Sequence, residues 1–181
     1  MSFRPVHIPE HLYFVTATLV GWQHLFVQPV YADMVLSSLK WLREREQCFL
    51  YAFVLMPSHL HGLLKPQAEH TIATILQAFG SFTAHRILKQ LRQDKREEVL
   101  LLMREKQKNP QKTHKVWEGI QAKNVYTPDF LVQKLEYIHN NPINKGWELV
   151  GERADYPYSS ACFYDRGEPA VIDIDDVRHL L

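Results

Sequence analysis

Two histidines separated by one residue stand at the start of a short apolar segment. The segment reads Met56-Pro57-Ser58-His59-Leu60-His61-Gly62-Leu63-Leu64, and its Pro-Ser pair predicts a tight break between two strands. Successive side chains of a strand point to opposite faces, so His59 and His61 would share one face. Two imidazoles on one face of a buried strand are a natural pair of ligands for a divalent metal ion.

The same pair of residues has a plainer interpretation. The chain contains ten histidines, so a His-x-His pair can arise by chance and serve only to complete a core. A metal site would need further ligand atoms from elsewhere in the chain, and their presence would distinguish it from a structural pair of histidines.

A second group of candidates lies on a helix that is predicted to begin at residues 127–129. Its start combines a Thr cap, a Pro in the first turn and an acid at the positive end of the helix dipole. The helix should end near Asn140, because Pro142 disfavours helical geometry just before it. Tyr137 and Asn141 are four residues apart, so they are expected to be neighbours on one face.

If this helix packs beside the histidine strand, the candidate site gains an amide and a phenol. Two imidazoles and the Asn141 amide oxygen would form a three-ligand metal site with open positions, and Asn140 is the alternative third donor. Tyr137 would then be a candidate nucleophile toward a metal-polarised phosphate, with Lys134 one turn earlier as a stabilising cation. The alternative is that Tyr137 is a half-buried structural phenol.

The elements that would position these residues follow an order typical of a split β-α-β unit. Apolar periodicity predicts strands at 13–20, 49–56, 59–65 and 115–126, the last with a bulge, and helices at 29–47, 71–93, 97–108 and from 127 onward. This order predicts an α+β, ferredoxin-like antiparallel sheet with helices packed on one face. In that topology the histidine strand is central in the sheet.

Length and composition favour one domain over residues 1–181, with an acidic extension at about 165–181. The net charge is +1, but residues 85–115 hold ten Lys or Arg and only four Asp or Glu. Residues 148–181 hold eight Asp or Glu and three Arg. The basic middle indicates a polyanionic partner, and the tail could compete with it; the alternative is two ordinary solvated surfaces.

Cysteine usage and hydropathy set expectations about the compartment. Cys48 and Cys162 form neither a disulfide framework nor a ligand spacing, which favours a reducing, cytoplasmic location. Residues 1–10 lack the apolar core of a signal peptide, and no apolar run approaches about 18 residues, so no membrane association is expected.

Two motifs together resemble a known family. The stretch from Met56 to His61 resembles the His-hydrophobic-His motif of the single-tyrosine transposases that act on single-stranded DNA. Tyr137-Ile138-His139-Asn140-Asn141-Pro142 is similar to their nucleophile helix, especially in the REP-associated tyrosine transposase branch. The resemblance covers roughly residues 12–164, and softer matches lie at Gly21-Trp22 with Phe26, at residues 79–83, at Val116-Trp117-Glu118 and at residues 156–160.

The resemblance implies a ferredoxin-like fold, a Mg²⁺ or Mn²⁺ ion, and cleavage of single-stranded DNA, usually beside a hairpin. By position, His59 and His61 correspond to the paired metal ligands, Asn141 to the third ligand and Tyr137 to the nucleophile. Cleavage in this family leaves a 5′-phosphotyrosine and a free 3′-OH. Family members occur as monomers and as dimers, so a homodimer stays open.

Some positions depart from the family pattern. Ser58 stands where Asn is usual, and Gly62 follows the second histidine where a larger apolar residue is common. Both changes could alter the local loop geometry, although neither removes a chemical group that the reaction needs. The tail beyond Tyr164 matches no motif of the family.

DNA contacts are expected along the second predicted helix. Arg86, Lys89 and Arg92 follow one side of it and would meet phosphates independently of sequence, while Lys134 would hold the substrate backbone near Tyr137. Two other classes of function stay open. One is a non-catalytic nucleic-acid-binding module of the same fold, and the other is a metal-dependent hydrolase that uses bound water.

Overall fold

Four strands form one antiparallel sheet in the computed structural model, which describes residues 11–67 and 69–181. The strands are β1 (Leu12–Leu19), β2 (Cys48–Met56), β3 (His59–Pro66) and β4 (Trp117–Val125), in the sheet order β2-β3-β1-β4. The described helices are α1 (Pro29–Glu44), α2 (Ile72–Gln93), α3 (Glu97–Glu105), α4 (Pro128–Asn140) and α5 (Ala161–Arg166). This order confirms the predicted ferredoxin-like α+β fold. The expectation that no signal peptide is present concerned residues 1–10, and these lie outside the described residues.

The two faces of the sheet carry separate hydrophobic clusters. Helices α1, α2 and α3 pack on one face, against side chains such as Val15, Phe53 and Leu60. Helix α4 packs on the opposite face, against β2 and β3, through Leu131 and Leu135. The expectation of helices on one face therefore holds for α1 to α3, whereas α4 covers the other face because β2 and β3 are apolar on both sides.

Local boundaries follow from backbone geometry. Helix α1 ends at Glu44, earlier than the predicted residue 47, because Glu46 adopts a left-handed conformation with φ of 52°. Strand β4 is continuous, and its expected bulge lies at Glu118, between the residues that pair with Thr18 and Leu19. Gly80 lets α2 approach the sheet, since a Cβ there would lie 2.6 Å from Ile120 Cδ1.

The start of α4 is as its sequence predicts. The Thr127 side chain accepts a hydrogen bond from Phe130 N at 3.2 Å, and Pro128 occupies the first turn. The α-helix ends at Asn140 and continues as a short 3-10 turn, Asn141–Ile143. These caps fix the axial position of the helix and therefore of the side chains near its end.

The outer edge of β2 is closed by the C-terminal part of the chain. Leu55 N donates to Tyr158 O at 2.8 Å, and Ser160 N donates to Phe53 O at 3.0 Å. The Ser160 hydroxyl in turn accepts from Phe53 N at 3.0 Å. An exposed strand edge invites pairing with other chains, so these bonds protect one side of the sheet.

The acidic C-terminal extension docks on the same edge. Asp175 N donates to Leu50 O at 2.8 Å, and its carboxylate accepts from Leu50 N at 2.9 Å. The same carboxylate makes a two-pronged ion pair with Arg43 at 3.0 and 3.1 Å, while Val177 is fully buried. The tail could compete for the partner of residues 85–115 only if its acids lay beside them. That expectation is wrong for Asp175, because Arg43 holds its carboxylate at the C-terminal end of α1.

The helices give no sign of a membrane span. Within residues 11–67 and 69–181, none combines the length and apolar character needed to cross a bilayer.

The docked tail predicts a stability effect. Asp175→Ala should lower the free energy of unfolding by about 2 kcal/mol, because Arg43 and the Leu50 N–H both lose a charged acceptor. Urea denaturation followed by circular dichroism measures this change. Asp173→Ala, at an exposed acid of the same segment, is the matched control and should change the free energy by less than about 0.5 kcal/mol. Equal effects of the two variants would contradict the structural role of Asp175.

Candidate functional site

The two histidines lie side by side on the face of the sheet that α4 covers. His59 pairs with Thr18 of β1, and His61 pairs with Thr16, so both are held inside the sheet between β1 and β2. Their side chains share one face, with ring centroids 4.9 Å apart. Only 6% of His59 and 5% of His61 is exposed, so both imidazoles are nearly removed from water.

A hydroxyl group holds each imidazole at its Nδ1 atom. Thr16 Oγ1 lies 2.9 Å from His61 Nδ1, and Ser58 Oγ lies 3.2 Å from His59 Nδ1. A hydroxyl oxygen can accept a hydrogen bond from Nδ1–H, which is the tautomer that leaves the lone pair on Nε2. Ser58, which departs from the family pattern, thereby orients one of the two rings.

Burial keeps both imidazoles neutral. It lowers the pKa of His59 from 6.5 to about 4, with His24 adding to the effect and the nearby Asn141 amide opposing it. Burial also lowers the pKa of His61 to about 3, helped by the charges of His59 and Lys134. Neutral imidazole is the form that binds a metal ion, so these rings are already in the ligand state at neutral pH.

The end of α4 places Asn141 beside the histidines. Asn141 is 5% exposed, it lies close enough to His59 to raise the pKa of that imidazole, and its Nδ2 contacts Tyr137 O at 3.4 Å. Asn140 points into a different network, where Arg153 donates to its Oδ1 at 3.1 Å. Of the two asparagines that the sequence left open, Asn141 is therefore the one that reaches the histidine pair.

Tyr137 lies next to His61 and stays accessible. The two ring centroids are 5.1 Å apart, and the Tyr137 side chain also contacts Phe14 at 5.8 Å. Tyr137 is 44% exposed, which distinguishes it from buried tyrosines such as Tyr51. Lys134 Nζ lies 5.4 Å from the Tyr137 ring centroid, and burial together with Lys123 lowers the pKa of Lys134.

These residues line one open groove of about 510 Å³. The groove extends from the end of α4 across the uncovered half of the sheet, over β1 and β4. The described residues that line it include two lysines and neither Asp nor Glu, so its electrostatic character favours an anion. They are Phe14, Thr16, Thr18, Trp22, His59, His61, Gln121, Lys123, Lys134, Tyr137, Asn141 and Trp147.

The donor set tests whether a metal ion fits. Residues 11–67 and 69–181 contain no cluster of three His, Cys, Asp or Glu side chains. A metal site here would therefore depend on the neutral Asn141 amide as the third protein donor beside His59 and His61. Imidazole nitrogens and an amide oxygen are acceptable ligands for Mn²⁺, so the residues fit an ion of the expected class.

Some residues of the groove were not anticipated from the sequence. Thr16 bonds to His61 across the strand pair, and Thr18 lines the groove two residues further along β1 without a side-chain bond to either histidine among the described contacts. Their period of two on a predicted strand was an available signal. Trp147 follows α4 in an irregular segment, where no periodicity could have assigned it. Gly21-Trp22 was noted only as a motif match, yet Trp22 lies directly beside His59.

The structure does not bring Arg86, Lys89 and Arg92 to this groove. All three are exposed on α2, which packs on the opposite face of the sheet. Arg86 lies over the Phe82 ring, with 5.6 Å between the guanidinium carbon and the ring centroid. They form a separate basic ridge, defined here by these three residues, and only Lys134 of the predicted DNA contacts lies in the groove.

Comparison with known proteins shows what this fold is similar to. No protein-family model matches the chain, and the search of curated proteins finds no match. Among solved structures, a REP-associated tyrosine transposase bound to a REP hairpin aligns with a TM-score of 0.67 at 17% identity, over 98% of this chain and 93% of that one. A candidate transposase from Deinococcus radiodurans R1 aligns with a TM-score of 0.48 at 19% identity, over 77% and 97% of the two chains.

The likeness to the hairpin-bound transposase is a likeness of fold. It extends over nearly the whole chain, including the strands and the helix that carry the histidines and the tyrosine. The fold implied by the motif resemblance is thereby confirmed: this chain has the α+β fold of a REP-associated tyrosine transposase.

Proposed function

We propose that this protein is a DNA transposase that cleaves and rejoins single-stranded DNA through a 5′-phosphotyrosine intermediate. One observation supports the proposal most directly. An accessible tyrosine, Tyr137, shares a cationic groove with two neutral imidazoles and an amide, on the fold of a REP-associated tyrosine transposase. A structural phenol would have no need of these neighbours.

In the proposed reaction the Tyr137 oxygen attacks the phosphorus of a phosphodiester. A bond forms between that oxygen and phosphorus, and the bond from phosphorus to the 3′ oxygen breaks. The phenol gives up its proton to solvent, and the leaving 3′ oxygen takes one, so the products are a 5′-phosphotyrosine and a free 3′-OH. A 3′-OH can reverse the step, so strands are rejoined without an external energy source.

His59, His61 and Asn141 would hold the Mg²⁺ or Mn²⁺ ion of the site. Such an ion, when bound, polarises a phosphoryl oxygen and stabilises negative charge. Thr16 and Ser58 keep the two imidazoles in one orientation. Lys134 lies over the rings of Phe14 and Tyr137 at 4.8 and 5.4 Å, where its charge favours the phenolate and attracts the DNA backbone.

We propose single-stranded DNA next to a hairpin as the substrate. The similar transposase structure is bound to a REP hairpin. In this chain the groove supplies Lys123 and Lys134, and the ridge of Arg86, Lys89 and Arg92 offers a second cationic surface behind the sheet. The groove residues assigned here, His59, His61, Tyr137 and Asn141, lie together within one chain.

The nucleophile is tested by Tyr137→Phe. This variant should bind hairpin-bearing single-stranded oligonucleotides as the wild type does, yet form no adduct that resists denaturant, because it lacks the attacking oxygen. The wild type should form an adduct that protease digestion and mass spectrometry place on Tyr137.

Tyr126→Phe is the matched control, because Tyr126 is even more exposed, at 66%, but lies outside the groove. It should retain full adduct formation. An adduct that persists in Tyr137→Phe would support a structural phenol, whereas cleavage without any adduct would favour the hydrolase that uses bound water. Binding without cleavage by the wild type would favour a non-catalytic module.

The metal site is tested by calorimetry with Mn²⁺. His61→Ala should weaken Mn²⁺ affinity by at least about tenfold, while Thr18→Ala, on the neighbouring strand, should leave the affinity within about twofold. Wild-type affinity in His61→Ala would contradict the site.

The pH dependence of Mn²⁺ binding follows from the lowered imidazole pKa values. The neutral ligand form is present above the folded pKa and is lost as pH falls through it, at about 4 for His59 and about 3 for His61. Affinity should therefore be nearly constant from about pH 7.5 to about 5.5 and fall below about pH 4.5. A decline centred near pH 6.5, the ordinary pKa of histidine, would contradict the buried geometry.

The basic ridge is tested by salt dependence. Replacing Arg86, Lys89 and Arg92 by Ala should flatten the slope of log affinity against log salt by about 2, if each residue neutralises one phosphate of a single strand. Fluorescence anisotropy at several salt concentrations measures the slope. Lys40→Ala, an exposed lysine of α1, is the control; an unchanged slope in the triple variant would assign the ridge to solvent.

A further inference from the structure

Trp22 exposes a large apolar surface at the edge of the groove. It lies just after β1, and 60% of it is accessible to water. Its ring centroid is 5.6 Å from that of His59, with an angle of 73° between the ring planes. An edge-to-face contact uses only part of the indole, so much of the ring stays available to a ligand.

The backbone at this position is held in an uncommon conformation. Gly21 and Trp22 both have left-handed geometry, with φ of 60° and 52°. The residues just before this turn are bonded to two other segments of the chain. Leu19 N donates to Ser58 O, between β2 and β3, and Val20 N donates to Val116 O, just before β4, each at 2.9 Å. A non-glycine residue in this region carries a conformational cost that surrounding structure has to offset. Exposure of Trp22 is therefore built into the fold.

The surroundings of Trp22 indicate what it contacts. Trp147 approaches His59 from another element, with 5.6 Å between the ring centroids, and both indoles line the groove. Lys123 and Lys134 line the same groove, as do the polar side chains of Thr16, Thr18 and Gln121. Exposed aromatic rings combined with cations are the combination that binds single-stranded nucleic acid, through stacking on bases and attraction to phosphates.

We propose that Trp22 stacks on the unpaired base next to the phosphodiester that Tyr137 attacks. The inference rests on the proposed function, and it deepens it by naming what the site requires of its substrate. Trp22 adjoins His59, which lies 4.9 Å from His61, and His61 in turn contacts Tyr137. A base in a duplex is already stacked and paired, so this contact selects an unpaired nucleotide at the cleavage position.

The test measures binding of hairpin-bearing oligonucleotides whose unpaired tract contains one abasic sugar, moved one position at a time. A metal chelator is added so that the oligonucleotide is not cleaved during the measurement, and fluorescence anisotropy reports its affinity for the protein. Wild-type protein should lose about 5- to 100-fold in affinity at one position, because stacking of one base is lost there. That position should adjoin the bond at which the tyrosine adduct forms.

Trp22→Ala should bind the intact oligonucleotide about 5- to 100-fold more weakly and show no further loss at the abasic position. Trp22→Phe should keep most of the affinity, because a smaller aromatic face can still stack. Trp41→Ala is the matched control: Trp41 is also exposed, at 48%, but lies on α1 behind the sheet, and its removal should change nothing.

The outcomes separate the two proposals. An abasic penalty that persists unchanged in Trp22→Ala, while the wild type still forms the tyrosine adduct, overturns the stacking role alone. The opposite outcome is an abasic penalty that is present in the wild type and absent in Trp22→Ala, while the wild type forms no tyrosine adduct. That result supports stacking and overturns the proposed cleavage reaction.

Discussion

The structure depends on the burial of β3 on both of its faces. This strand lies between β1 and β2, with α1 and α2 behind it and α4 in front, so all of its residues except Lys65 are buried. Placing two imidazoles in such a strand costs hydration energy, and the chain meets that cost with the hydroxyl groups of Thr16 and Ser58 as hydrogen-bond partners. The same burial removes the proton that would compete with a metal ion.

Helix α4 gives the site its shape because it covers only half of a sheet face. It packs mainly over β2 and β3 and leaves parts of β1 and β4 open to the groove, so the histidines lie at the boundary between a dry core and an accessible groove. Tyr137 lies at this boundary, partly packed against Phe14 and His61 and partly exposed. A nucleophile needs both conditions, since packing fixes its direction and exposure admits the substrate.

The C-terminal segment supports this arrangement from a distance. Its hydrogen bonds to Leu50, Phe53 and Leu55 close the edge of β2, and β2 in turn packs against α4. His139 of α4 hydrogen-bonds the Ser160 hydroxyl at 2.9 Å, and that hydroxyl also contacts the backbone of Phe53. The segment therefore ties the helix of Tyr137, the proposed nucleophile, to the sheet, and the Asp175 carboxylate contributes to the fold.

Much of the architecture was determined by the sequence itself. Apolar periodicity, the Thr127 cap and the break at Pro57-Ser58 depend on neighbouring residues, so strand order, helix starts and the shared face of His59 and His61 could be predicted. The two motifs likewise identified Tyr137 and Asn141 as candidates, since a four-residue spacing on a helix is a local property.

Only the tertiary structure decided which side of the sheet each helix covers, and so which residues meet. Strands that are apolar on both faces do not predict where α4 packs. This packing places Asn141, and not Asn140, in the groove beside the histidines, and it leaves the ridge of Arg86, Lys89 and Arg92 behind the sheet. The pKa values of the histidines also depend on burial by distant segments, which no local pattern contains. Trp22 and Trp147 join the groove for the same reason: their neighbours in space are far away in the chain.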